Sequence, residues 1–266
     1  MVSSSAPAPK SPGAFQARAI SRLLTAILLG SLSFGILDFA LTISARRLGA
    51  SALDIGGAIS VFAVIITVSR PLVGWGIDRW GRKWFLASSF VFYGMAMLLF
   101  GFARTMGMLY AARIVQGVGS SLLWIPAYTA ITELSTHDWG RSVGTATMAS
   151  ARGATFGAFL GFTLTFAAST FVIGWQWAFE LYAAAALIAA LLVWRFVPET
   201  RKQPGAAADP DPTADHLDRK FLLRLMLIVF LTGASSSMIS PLLMIFLQDR
   251  FTADVRTLGT AFIPAA

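Results

Sequence analysis

Three groups of residues in this chain have the types and spacing to do chemistry. The first is Gly-Trp-Gly-Ile-Asp-Arg-Trp-Gly-Arg-Lys at 74–83, which sets Asp78 among the cations Arg79, Arg82 and Lys83 and flanks them with Gly74 and Gly81. The chemistry on offer is a reversible ion-pair latch, with glycines permitting a tight turn or a close helix approach. The second group is Asp38 and Arg113, ionisable residues inside long apolar runs. A charge in that setting costs about 2.5 kcal/mol or more on insertion scales, so it persists because it has a partner or a task. Asp38 can act as a proton carrier whose protonation releases Arg113; a static ion pair is the plainer alternative. The third group is Gly144, Gly153, Gly157 and Gly161, the last three on one helical face, with Arg152 beside Gly153. Arg152 can bind an anionic group, pair with Asp38 or snorkel to water.

The elements that position these residues follow from composition. The chain is 56% hydrophobic and 13% charged, against about 25% charged in soluble domains, so most of it cannot face water. Apolar runs at roughly 23–43, 55–74, 84–103, 108–128, 144–166, 177–197 and 225–246 are each near the ~20 residues that cross a bilayer as a helix, giving seven expected spans. The first run is too long for a signal-peptide core, and an eighth begins near Leu258 but meets the end of the chain at Ala266. The fold class is therefore an all-α membrane protein. Its expected parts are a disordered N-terminus at 1–16, a six-helix transmembrane domain at 17–197, a proline-rich linker at 198–220, and a seventh helix with a truncated eighth at 221–266.

Basic residues assign the sides. Lys10, Arg18, Arg22, Arg79, Arg82, Lys83, Arg141, Arg201, Lys202, Arg219 and Lys220 fall on the side of the N-terminus, and Arg46, Arg47, Arg104, Arg250 and Arg256 on the other. The positive-inside rule then makes the N-terminus and the 74–83 hairpin cytoplasmic. The expected location is a bacterial-type inner (plasma) membrane.

The hairpin resembles the loop 2–3 signature of the major facilitator superfamily, Gly-x-x-x-Asp-Arg-x-Gly-Arg-Lys. Arg113, Gln116, Gly117 and Gly119 resemble its span 4 signature, Arg-x-x-Gln-Gly-x-Gly, and Gly144, Gly153, Gly157 and Gly161 follow part of its antiporter signature, in which Ala158 replaces a proline and Phe162 a glycine. Pro198-Glu199-Thr200-Arg201 is similar to the way many members leave helix 6. The resemblance implies a six-helix half of a secondary transporter of small molecules, coupled to protons, leaning to efflux, with alternating access around a midplane site. It implies that Asp78 and Arg82 help lock the two halves on the cytoplasmic side, and that the missing C-terminal half or a second copy completes the pathway. Arg152, Phe39, Tyr93 and Trp124 are candidate cavity residues; for the aromatic ones, helix packing is the plainer expectation.

Other classes fit less well. No phosphate-binding loop, His-Glu-x-x-His or Gly-x-Ser-x-Gly occurs, so neither an enzyme nor a cofactor is indicated, and the absence of cysteine with His137 and His216 far apart gives no metal site. The net charge of +8 is spread over short loops, which argues against nucleic acid. A seven-helix receptor conflicts with the charge sides. A non-transporting membrane subunit packing through the span 5 glycines is the alternative function. Glu180, near Trp175 and Trp177, is expected at the membrane interface.

Overall fold

The computed structural model describes residues 12–135 and 139–200, with scattered helical positions between 221 and 246. Those residues form helices only: α1 (Pro12–Gly30), α2 (Phe34–Arg47), α3 (Ala52–Trp80), α4 (Lys83–Gly101), α5 (Met106–Leu134), α6 (Trp139–Ala167) and α7 (Phe171–Phe196). Most of the expected seventh span, most of the linker and both histidines lie outside the described residues. Helix α1 starts at Pro12, inside the segment expected to be disordered, because proline is well suited to the first helical position.

The first apolar run is two helices. Ser31, Leu32 and Ser33 break it, and Gly30, Ser31, Ser33 and Gly35 cluster there, the small and hydroxyl residues that let a helix bend. The break lies within the bundle, where the Ser31 and Ser150 hydroxyls meet at 2.9 Å. Three other helix starts are fixed by side chains. Ser51 and Asp54 form a reciprocal capping box on α3, Thr105 accepts from the Met108 amide on α5, and Thr170 from the Ile173 amide on α7.

Helix α4 packs between α5 and α7, α3 lies against α5, and α6 packs on α1, α2 and α7. Among the described residues, five segments are long and apolar enough to cross a membrane: Phe15–Leu37, Ala52–Trp80, Lys83–Gly101, Met106–Leu134 and Phe171–Phe196. Helix α6, expected as a span over 144–166, has the length but is not among them; Thr145, Thr147, Ser150 and Arg152 lower its apolar character. Helix α3 keeps an open apolar face at Val64, Val68, Leu72 and Trp75.

The ends of the bundle separate the charges. The Arg22 guanidinium lies 4.6 Å over the Phe196 ring at one end, and Arg47 lies 3.5 Å over Phe171 at the other. The first end also carries Arg18, Arg79, Arg82, Lys83, Arg141 and Arg195; the second carries Arg46 and Arg104. Glu180 stands nine residues after the start of α7, about 14 Å along the helix and exposed, deeper than the expected interface because α7 begins at Phe171 rather than near 177.

Candidate functional site

The 74–83 segment is mostly helix rather than loop. Helix α3 runs through Gly74, Asp78 and Arg79 to Trp80, and only Gly81 and Arg82 turn the chain into α4. Gly81 has φ +91°, in the region that favours glycine, and a Cβ there would collide with the Glu199 carboxylate. That carboxylate accepts from the Arg82 amide at 2.8 Å and the Lys83 amide at 3.2 Å, placing an anion on the otherwise unsatisfied N-terminus of α4. Arg82 turns inward. Its guanidinium pairs with Glu133 at 3.0 Å, donates to the Ile77 carbonyl at 2.9 Å and stands 3.6 Å from Asp78. Arg82 and Glu133 side chains are 11% and 14% exposed, whereas Asp78 is 77% exposed. The inner latch is thus Arg82–Glu133, tying the α3–α4 turn to the end of α5, and Asp78 is left facing outward. Arg79 lies 5.4 Å over Trp75, and nothing lies within 4 Å of the space a Gly74 side chain would fill.

Deeper in the bundle, Arg113 is 2% exposed and donates to the Gln116 side chain at 2.9 Å, with the Phe62 and Phe100 rings 5.4 and 5.7 Å from its guanidinium carbon. Gly117 lets α5 approach Phe62 and Ile65 of α3, and Gly119 lets it approach Ser89 and Phe92 of α4. These contacts set the register. The Phe34 ring meets Tyr93 and Gly119 abuts Tyr93, so α2, α4 and α5 share a level there. One turn onward on α2 is Asp38, and one turn back on the antiparallel α5 is Val115. The backbones of Asp38 and Arg113 therefore differ in depth by about two residues, or 3 Å.

On α6, a Cβ on Gly153 or Gly157 would overlap the carbonyls of Leu28 or Leu32, and one on Gly161 would strike the Tyr182 hydroxyl. Tyr182 donates to the Gly157 carbonyl at 2.7 Å. The glycine face is filled from within the chain, so it is not the free packing face that the membrane-subunit alternative requires. Gly144 is different: it is exposed, with nothing nearby. Gly144→Ala is expected to gain about 0.5–1 kcal/mol through helix propensity, read by thermal unfolding in detergent; a lower melting temperature would mean a contact there.

The cavity candidates divide. Phe39 and Tyr93 are buried, Phe39 edge-on to Phe162 at 4.8 Å and Tyr93 against Phe34, which are contacts of helix packing. Trp124 is partly exposed and stacks on Tyr128. Arg152 is exposed and lines a groove of about 510 Å³ along α6. Glu133 and Glu199 contact the 74–83 segment, and the sequence alone did not single them out. Glu133 is a lone acid at a helix end with no spacing signal, and Glu199 carried only the tetrapeptide at 198–201.

Known proteins resemble this chain in sequence and in fold. Multidrug resistance protein 1 of Bacillus subtilis (strain 168) is 27% identical over 115 residues, 43% of this chain and 29% of its own length. A puromycin resistance protein of Streptomyces alboniger is 31% identical over 182 residues, 68% of this chain and 35% of its own. The chain spans about a third of the length of the curated relatives it matches. Among solved structures, a bacterial homologue of the human lysosomal transporter Spinster, inward-facing and unoccupied, superposes with a TM-score of 0.73 at 16% identity, covering 96% of this chain and 60% of that one. The sequence pattern of the Major Facilitator Superfamily matches residues 23–266, which span all three motifs and every helix from the middle of α1 onward; the chain belongs to that superfamily.

Proposed function

We propose that this chain supplies one wall of a proton-coupled exporter of small molecules that works by alternating access. The observation that carries the reading is the buried Arg113 at the depth of Asp38, in a bundle whose charged latch sits at one end. Asp38 takes and releases the proton, and Arg113 answers its charge; a ligand or a reorientation that alters one alters the proton affinity of the other. The excess of basic residues at the latch end supports a cytoplasmic N-terminus and latch. Asp78, left outward, is then available to the opposing wall, which comes from the C-terminal half or a second copy. The names of the relatives favour efflux over uptake.

The test uses the protein as its natural gene encodes it, reconstituted into vesicles with an acidic interior and a pH-sensitive dye. Puromycin and a panel of other hydrophobic drugs are added outside. At least one compound is expected to dissipate the proton gradient. Asp38→Asn is expected to abolish that exchange while inserting and eluting as the wild type does. Undiminished drug-driven proton movement in Asp38→Asn would remove Asp38 from the mechanism.

A further inference from the structure

We propose that the groove along α6 binds the charged end of an amphipathic organic anion, with Arg152 as its counter-ion. This rests on the transporter reading and narrows its substrate to aryl carboxylates, sulfonates and similar anions.

Depth comes first. Arg152 is thirteen residues from the start of the 29-residue α6, about 20 Å along a helix of about 43 Å, near its middle. A cation at that level of a bilayer is costly and normally faces a partner or water. Among the described residues Arg152 makes no ion pair, and register explains why. Gly153, Gly157 and Gly161 meet Leu28, Leu32 and Ile36 in parallel order, so Asp38 lies level with residue 163. Gly161 meets Tyr182 and Gly174 meets Thr165 in antiparallel order, so Glu180 lies near that same level. Both acids are about ten residues, or 15 Å, outward of Arg152, beyond the joint reach of the side chains. Backbone register thereby places residues 38 and 152 about 15 Å apart along the bundle.

The surroundings specify the rest of the ligand. Met148, Phe156, Phe159 and Phe162 give the groove an apolar wall, and its volume suits a small organic molecule. The guanidinium offers a planar fork that matches a carboxylate or sulfonate, and the rings offer faces and edges to an aromatic body. Gly153, adjacent to Arg152, is pressed on the Leu28 carbonyl, so the cation projects from backbone fixed to α1. A guanidinium with no ion pair among the described residues, set in an apolar groove on a fixed backbone, selects for a negative end on an apolar body.

The test compares dansylglycine with its neutral methyl ester, binding at equilibrium to the protein expressed from its natural gene and held in lipid nanodiscs. The wild type is expected to prefer the anion by about tenfold, equivalent to ~1.4 kcal/mol. Arg152→Gln is expected to erase the preference while the ester still binds, and Arg152→Lys to keep most of it. Phe159→Ala is expected to weaken both ligands alike. Elution and melting like the wild type verify the fold of each variant. Equal affinities in the wild type, as when an acidic side chain elsewhere already neutralises Arg152, overturn the proposal; so does a preference that survives Arg152→Gln. Drug-driven proton exchange is measured separately. Exchange without an anion preference sinks this site and leaves the transporter; an anion preference without exchange does the reverse.

Discussion

Replacing Glu133 by Ala is expected to destabilise the bundle by about 3 kcal/mol, because the change strands a buried guanidinium. Arg82 is 11% exposed, and its 3.0 Å partner would be gone. What remains is the Ile77 carbonyl at 2.9 Å and Asp78 at 3.6 Å, the latter 77% exposed and its charge therefore screened by solvent. The pair as a whole is a different matter, since desolvating two charges offsets much of their attraction. Removing both, in Glu133→Ala with Arg82→Ala, should accordingly cost less than Glu133→Ala alone. Glu133→Gln should fall between wild type and Ala, keeping an acceptor but no charge. Denaturant unfolding of the purified chain in mild detergent, followed by its tryptophan fluorescence, measures all three. A loss under about 1 kcal/mol for Glu133→Ala would mean the pair behaves as a solvated surface bridge.

That latch also shows where sequence stops being informative. The pattern at 74–83 was legible because its glycines and charges fall in order, and Gly81 does make the turn. The sequence could not tell loop from helix in a run containing Trp75, Ile77 and Trp80, all compatible with either, so the charged segment proved to be the last turns of α3. Nor could it find Glu133, because the meeting of α5's end with the α3–α4 turn is a tertiary fact. Asp38 and Arg113 were legible as ionisable residues inside apolar runs, and counting along a run gives depth, since helical rise converts residue number to distance. The same counting could not separate Phe39 and Tyr93 in helix packing from Arg152 in a groove. Rise gives depth, but the direction a side chain faces depends on which helices are neighbours. The break at 31–33 was hidden for a related reason: glycine and serine are ordinary in membrane helices, and only α6 closing on Leu32 gives the bend its role.

Gly157→Leu should be the most damaging single substitution, preventing the six-helix unit from reaching a compact state. Even a Cβ at 157 would overlap the Leu32 carbonyl, and Leu32 lies in the break between α1 and α2, where the backbone is already bent. Neither neighbour can yield cheaply. Retreat of α6 would separate Ser150 from Ser31 and carry the Gly157 carbonyl away from the Tyr182 hydroxyl, which it meets at 2.7 Å. Ordinary overpacking costs about 1–3 kcal/mol, and a leucine driven into backbone exceeds it. Inserted but aggregated protein, with raised protease sensitivity in membranes and no monodisperse peak in detergent, is the expected outcome. Gly157→Ala should give a milder version of the same defect. The result also separates two roles for the glycine face. Were it a contact between copies, Gly157→Leu would release a well-folded monomer with an unchanged melting temperature; because Leu28, Leu32 and Tyr182 already occupy it, the bundle itself should fail.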